Sequence, residues 1–132
     1  MVVSTTCRPI MKIQSYIHER RLDLILAGKM DALAIAEVEQ TVEAAVSPAV
    51  CVAVVDLSGV DYISSAGLRL LLNLFKKLQQ AGGTMALAGT KAYCHKVIEL
   101  AGFGGIFPMF EQVAEATAFC DQALEKNVER GA

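Results

Sequence analysis

The feature that most constrains the fold is an unbroken apolar run, VCVAVV, which occupies residues 50–55 and continues to Leu57 after a single Asp. Four of its six residues are β-branched valines, and a short run of this kind is typical of a strand that is covered on both faces. Covering both faces of a sheet requires helices above and below it. The run therefore predicts an α/β domain in which residues 50–57 form the central strand.

Gly, Pro and charged residues divide the rest of the chain into segments of strand and helix character. Asp31 and Thr90 are the predicted N-caps of the first and third helices, and Pro48 is expected to end the first. Gly28 is expected to close the second strand, and residues 58–63 to form a loop. The predicted strands are residues 13–19, 22–27, 50–57, 84–89 and 106–110; the predicted helices are residues 32–46, 64–81, 91–101 and 113–128.

Because most of these strands are separated by helices, crossover connections must join them, and crossovers produce parallel pairing. The expected fold is a mixed, mostly parallel sheet covered by about four helices, with an antiparallel first strand pair. At 132 residues the chain has room for one such domain. We expect a loose leader over residues 1–11, the domain over residues 12–128 and a tail over residues 129–132.

Composition excludes several classes of function. A formal net charge of −2 gives no basic surface for nucleic acid. The longest uncharged stretch has 13 residues, which is too short to span a membrane, and residues 1–11 lack a secretion signal, so a cytoplasmic location is expected. The cysteines are widely spaced and His18 and His95 lack metal-ligand neighbours, so we expect no metal and no cofactor. Three cysteines are predicted to be small core residues: Cys51, Cys94 and Cys120.

Polar residues gather in two loops that follow predicted strands, residues 28–31 and residues 56–67. In an open α/β sheet such loops lie beside the N-termini of helices, where functional groups collect. Ser64 and Ser65 come at the start of the second helix, where one of them can serve as the N-cap. A phosphate on a serine there would meet the positive end of the helix. A hydrolase is disfavoured, since the loop lacks a GxSxG elbow and a nearby His.

The segment from Asp56 to Arg69, DLSGVDYISSAGLR, resembles the signature loop and helix start of the STAS domain in order and spacing. This family is shared by anti-sigma factor antagonists and the tails of sulfate transporters. Supporting segments are GKMD at residues 28–31, AGG at residues 81–83, and AGF at residues 101–103 with IF at residues 106–107. The resemblance extends over about residues 12–125.

The resemblance implies a bacterial anti-sigma factor antagonist that works by partner switching. In such proteins a GHKL-type serine kinase, which is also the anti-sigma factor, phosphorylates a loop serine, and a PP2C-type phosphatase removes the phosphate. The unphosphorylated form binds the kinase and thereby releases the sigma factor. The protein itself is then not an enzyme, and we expect it to be a monomer when free.

The family's common pattern is Asp-Ser-(Ser/Ala)-Gly-Leu, with the phosphate acceptor directly after the Asp. This pattern places the acceptor at Ser65, with Ser64 in the position of the Asp. The departure removes a carboxylate from the segment that the kinase would recognise, and it leaves Ser64 as an alternative acceptor. The implied partner-binding residues are Asp31, Ser64, Gly67, Leu68 and Arg69.

Two other functions remain open on the sequence. A STAS module can bind its partner constitutively, in which case Ser65 is only a helix cap. A sensor of nucleotides or small anions would instead use the free N–H groups at the same helix N-terminus.

Overall fold

The computed structural model describes residues 11–47 and 49–131, and this part of the chain forms a five-stranded sheet with four helices. The strands lie side by side in the order β1-β2-β3-β4-β5. β1 is antiparallel to β2, and the other neighbours are parallel, so the predicted α/β class is confirmed. The elements are β1 (Met11–His18), β2 (Arg21–Met30), α1 (Ala32–Ala45), β3 (Val52–Ile63), α2 (Ser65–Gln80), β4 (Thr84–Ala88), α3 (Ala92–Leu100), β5 (Met109–Phe110) and α4 (Val113–Gly131).

β3 is the central strand, as predicted, but it runs to Ile63, so the expected loop over residues 58–63 is wrong. The reason is that β2 also continues beyond its expected end, and Met30 pairs with Ile63. Gly28 has a φ of 117° and lies where the pairing register shifts, so this glycine accommodates an irregularity instead of closing the strand.

Other boundaries also differ from the prediction. β5 has only two residues, because residue 106 belongs to a turn and residue 107 to a bend. Thr90 does not cap α3: Lys91 holds that position without a side-chain hydrogen bond, and Thr90 Oγ1 is buried with no partner in the described residues. Met11 belongs to β1 and not to the leader, and α4 continues to Gly131. The predicted stop at Pro48 and the leader over residues 1–10 lie outside the described residues.

The core forms on both faces of the sheet, as the central apolar run requires. On one face Val55 and Leu57 pack in the larger cluster, with the buried residues of α1, α2 and α3. On the other face Val52 and Val54 pack against α4, through Ala116 and Cys120 among others. Alternate residues of β3 therefore belong to different clusters.

Cys51, Cys94 and Cys120 are buried free thiols, which confirms their predicted place in the core. Burial raises the pKa of the Cys120 thiol to about 12 and also raises the pKa of Cys94. Only the thiolate reacts with alkylating agents. We expect iodoacetamide at pH 8 to leave Cys94 and Cys120 unmodified in the native protein and to modify both in urea, as read by peptide mass spectrometry. Equal labelling rates in both conditions would contradict this account.

Candidate functional site

The ends of β2 and β3 bring together the two polar loops that the sequence singled out. Met30 pairs with Ile63, and each is the last residue of its strand. Asp31 then begins α1, while Ser64 begins α2 and donates its N–H to the carbonyl oxygen of Met30 at 2.9 Å. Because the two strands are parallel, both helices start at the same edge of the sheet.

Ser64 is the N-cap of α2, and its hydroxyl is engaged in two directions. The oxygen accepts the N–H of Gly67 at 3.1 Å and donates its own proton to the Met30 carbonyl oxygen at 2.6 Å. The first bond satisfies an otherwise free donor of the helix, and the second fastens the start of α2 to the end of β2. Both hydrogen bonds of the Ser64 hydroxyl therefore stabilise the junction between β2 and α2.

Ser65 is in the opposite situation. It is the first residue of α2, it is exposed, and its hydroxyl makes no hydrogen bond within the described residues. The first turn of α2 contains no acidic side chain. A negative group on Ser65 would therefore be stabilised by the positive end of the helix, and no carboxylate in that turn would repel it.

Asp31 is the N-cap of α1, as predicted, and its Oδ1 accepts the N–H of Ala34 at 3.0 Å. Asp31 is half-buried, and it follows β2 at the same edge of the sheet at which Ser65 follows β3. Its cap is structural, and a contact with a partner stays a prediction.

We expect Asp31→Ala to lower the free energy of unfolding by about 1 kcal/mol, since an N-cap hydrogen bond is lost. Asp31→Asn keeps an acceptor oxygen at the same place and should lose much less. Urea unfolding of both variants measures the difference. An Ala variant as stable as the wild type would show that the hydrogen bond contributes nothing.

Gly67 and Leu68 do not face outward. Both are buried, and a Cβ on Gly67 would lie 3.1 Å from Ile63 Cγ2 and 3.2 Å from Met30 Cβ. The glycine therefore allows the chain's own elements to approach closely. This corrects the expectation that these two residues line the partner surface: they pack α2 onto the ends of β2 and β3.

Two exposed apolar residues at this edge were missed by the sequence reasoning. Leu33, in the first turn of α1, is 75% exposed, and Tyr62, near the end of β3, is 40% exposed. For Leu33 the sequence did hold a signal, since this apolar residue stands outside the helical stripe of Ile35, Val38 and Val42. For Tyr62 it did not, because the segment was expected to be a loop. We call the following set the rim: Asp31, Leu33, Tyr62, Ser65 and Arg69.

An ion pair borders the rim. Lys91 Nζ, just before α3, pairs with Asp61 Oδ1, next to Tyr62. The hydrogen bond and charge of Lys91 lower the pKa of Asp61 below its ordinary value. Asp61 therefore stays ionised and is compensated by its own partner.

No metal-binding cluster and no candidate membrane span occurs among the described residues. His, Cys, Asp and Glu side chains nowhere group there in a way that would hold a metal ion. The helices of this part of the chain also include none with both the length and the apolar character of a membrane span.

Residues 12–116 match the family model of the STAS domain. This match covers most of the chain. The chain belongs to the STAS domain family.

Its relatives carry a consistent description. BtrV of Bordetella bronchiseptica, described as an anti-sigma factor antagonist, is 41% identical over 73 residues, which is 55% of this chain and 63% of BtrV. The chain thus spans slightly less than two thirds of that relative. An anti-sigma factor antagonist from Mycobacterium paratuberculosis has a similar structure, with a TM-score of 0.75, 21% identity, and coverage of 84% of this chain and 94% of the other.

A further similar structure is that of the anti-sigma factor antagonist SpoIIAA in its unphosphorylated form. Its TM-score is 0.70 at 20% identity, with coverage of 92% of this chain and 98% of SpoIIAA. The phosphorylated form of SpoIIAA, described as a Bacillus cell fate determinant, has a TM-score of 0.66 at 20% identity, with coverage of 81% and 97%. At this identity the likeness shows a common fold.

Proposed function

We propose that this protein is an anti-sigma factor antagonist that binds its anti-sigma factor while Ser65 is unphosphorylated and is released when Ser65 is phosphorylated. Family membership and the descriptions of its relatives support the general role. That one relative is known in a phosphorylated form supports the switch. The proposed partner is a GHKL-type serine kinase that is also the anti-sigma factor, and a PP2C-type phosphatase reverses the modification.

The observation that carries this proposal is the contrast between the two adjacent serines. The hydroxyl of Ser64 already bridges Met30 and Gly67, and a phosphate there would remove the proton that it donates to Met30 and bring an anion against that carbonyl oxygen. The hydroxyl of Ser65 is exposed and unengaged within the described residues, and it lies at the positive end of α2. Phosphorylation of Ser65 therefore adds charge without disturbing the fold, whereas phosphorylation of Ser64 would remove the hydroxyl bond that fastens α2 to β2 and place an anion beside the Met30 carbonyl oxygen.

The rim supplies the surface on which that charge acts. Leu33 and Tyr62 offer exposed apolar area, and aromatic side chains of this kind often anchor protein interfaces. Asp31 and Arg69 add one charge of each sign. A phosphate introduced among these residues would have to be desolvated whenever a partner covered the rim.

The proposed location and the proposed non-enzymatic role follow from the choice of a kinase as the partner. Transfer of phosphate from ATP by a bacterial kinase places the exchange in the cytoplasm. The chain itself acts by binding and not by catalysis.

The role is tested by adding the protein to a preformed complex of the sigma factor and its anti-sigma factor, chosen from the genes beside this one. We expect the sigma factor to be released in proportion to the protein added, as followed by size-exclusion chromatography. If the complex stays intact at excess protein although the anti-sigma factor is active, the proposed role is wrong.

The rim is tested by Tyr62→Ala, which should weaken binding to the anti-sigma factor at least tenfold because a central aromatic contact is lost. The matched control is Tyr16→Ala. Tyr16 is similarly exposed, but it pairs with Asp23 near the beginning of β2 and thus lies toward the opposite edge of the sheet. Calorimetric titration compares the two. Equal losses, or none for Tyr62→Ala, would place the partner elsewhere.

A further inference from the structure

We propose that Arg69 is the intramolecular counter-charge of a phosphate on Ser65, so that phosphorylation both adds an anion to the rim and withdraws a cation from it. This inference rests on Ser65 being the acceptor, as proposed above. It assigns Arg69 a role in the phosphorylated state in addition to its expected contact with the partner.

The positions of the two residues on α2 favour the pair. Ser65 and Arg69 are four residues apart, so their side chains lie on the same face, one turn from each other. Both are exposed. The guanidinium group presents a planar fork of N–H donors that matches two phosphate oxygens, and the anion stands on the N-terminal side, which is the favourable order on a helix.

The surrounding charges leave Arg69 available. It forms no ion pair within the described residues. Lys91 is already paired with Asp61, and Asp31 accepts a backbone N–H of α1. The other cation at this edge is Lys29, which is exposed on β2 in register with Tyr62. Lys29 is therefore the competing candidate for the phosphate.

The consequence for the switch is a change at two points of the rim. Without phosphate, the Arg69 side chain is free to meet an acidic group of the partner. With phosphate, the same guanidinium is held one turn back along α2. The partner then faces a new anion and loses a donor, which makes the unbound state more strongly preferred than the added charge alone would.

The test uses protein in which phosphoserine is inserted at position 65 during translation by stop-codon suppression, so no kinase is needed. The second pKa of the phosphate is read from ³¹P chemical shifts across a pH titration. We expect Arg69→Gln to raise this pKa by about 0.3 to 0.5 unit, since a nearby cation favours the dianion. The matched control is Lys76→Gln, which removes the same charge from an exposed position farther along α2.

The rise should shrink in 1 M NaCl, because screening weakens an exposed pair. An unchanged pKa in Arg69→Gln, or a larger rise in Lys29→Gln than in Arg69→Gln, would overturn the assignment to Arg69. Because the phosphoserine is introduced during translation, these outcomes are independent of whether the kinase modifies Ser65 in the cell. Failure of the inference and failure of the proposed function are therefore distinguishable.

Discussion

Ser65→Asp should bind the anti-sigma factor about a hundredfold more weakly than Ser65→Ala, which corresponds to about 2.7 kcal/mol. The reason is that a covered rim removes water from the carboxylate, and its pairing with Arg69 withdraws that cation from the partner, whereas an alanine methyl group has little to lose. Both variants should melt close to the wild type, because the hydroxyl of Ser65 makes no hydrogen bond within the described residues. Calorimetric titration and thermal melting provide the two measurements.

The control for this prediction is Gln79→Glu, which adds the same charge to the same helix far from the rim. Gln79 is exposed and lies 14 residues from Ser65, or about 21 Å along the axis of α2. Its substitution should change the affinity less than threefold. If Ser65→Asp and Ser65→Ala bound equally well, the switch would be refuted and a constitutive binding module would remain.

Gly83→Ala should destabilise the protein by about 3 kcal/mol or more, a large part of the stability of a small domain. A methyl group on this residue would overlap the carbonyl oxygen of Cys51 and lie only 2.6 Å from its carbonyl carbon. Both neighbours are backbone atoms just before β3, so relief requires the chain itself to move. Urea unfolding should show a lower midpoint, or no folded baseline at all.

The matched control is Gly105→Ala, because a Cβ there meets no atom within 4 Å. This variant should unfold within about 0.5 kcal/mol of the wild type. A Gly83→Ala variant as stable as Gly105→Ala would mean that the approach of Gly83 to Cys51 is not required by the fold.

The glycines also show where sequence reasoning reaches its limit. Gly82 and Gly83 were expected to end α2, and they do: Gly82 has a φ of 84°, and Gly83 donates its N–H to the Leu78 carbonyl oxygen in a Schellman arrangement. Helix ends follow local rules, so they can be predicted from local sequence. The crowding of Gly83 against Cys51 joins segments 32 residues apart, and no local pattern predicts it.

The length of β3 was missed for a related reason. Apolar periodicity identified its buried half, but the segment from Ser58 onward looked like a loop because it contains Gly59 and Asp61. Its strand conformation depends on pairing with β2, which also continues to its last residue, Met30. That pairing is a long-range property, and strand propensity alone does not reveal it.

The same limit applies to the site. Its location at the ends of β2 and β3 was predictable, since polar loops follow both strands and parallel strands end at one edge. The inward direction of Leu68 follows from the apolar stripe of α2, to which the buried Leu71 and Phe75 also belong. The close approach at Gly67 was not predictable, because it depends on how α2 packs onto Met30 and Ile63. The structural role of the Ser64 hydroxyl, in contrast to the unengaged hydroxyl of Ser65, likewise follows only from the hydrogen bonds of the structure.

The most direct test of the central claim is to map the phosphate after incubation with the GHKL-type kinase and ATP. Wild type, Ser65→Ala and Ser64→Asn are compared by peptide mass spectrometry; the Asn variant keeps a helix cap but cannot be phosphorylated at position 64. We expect one phosphate on Ser65 in the wild type and in Ser64→Asn, and none in Ser65→Ala. A phosphate on Ser64, or none on any variant under an active kinase, would contradict the account.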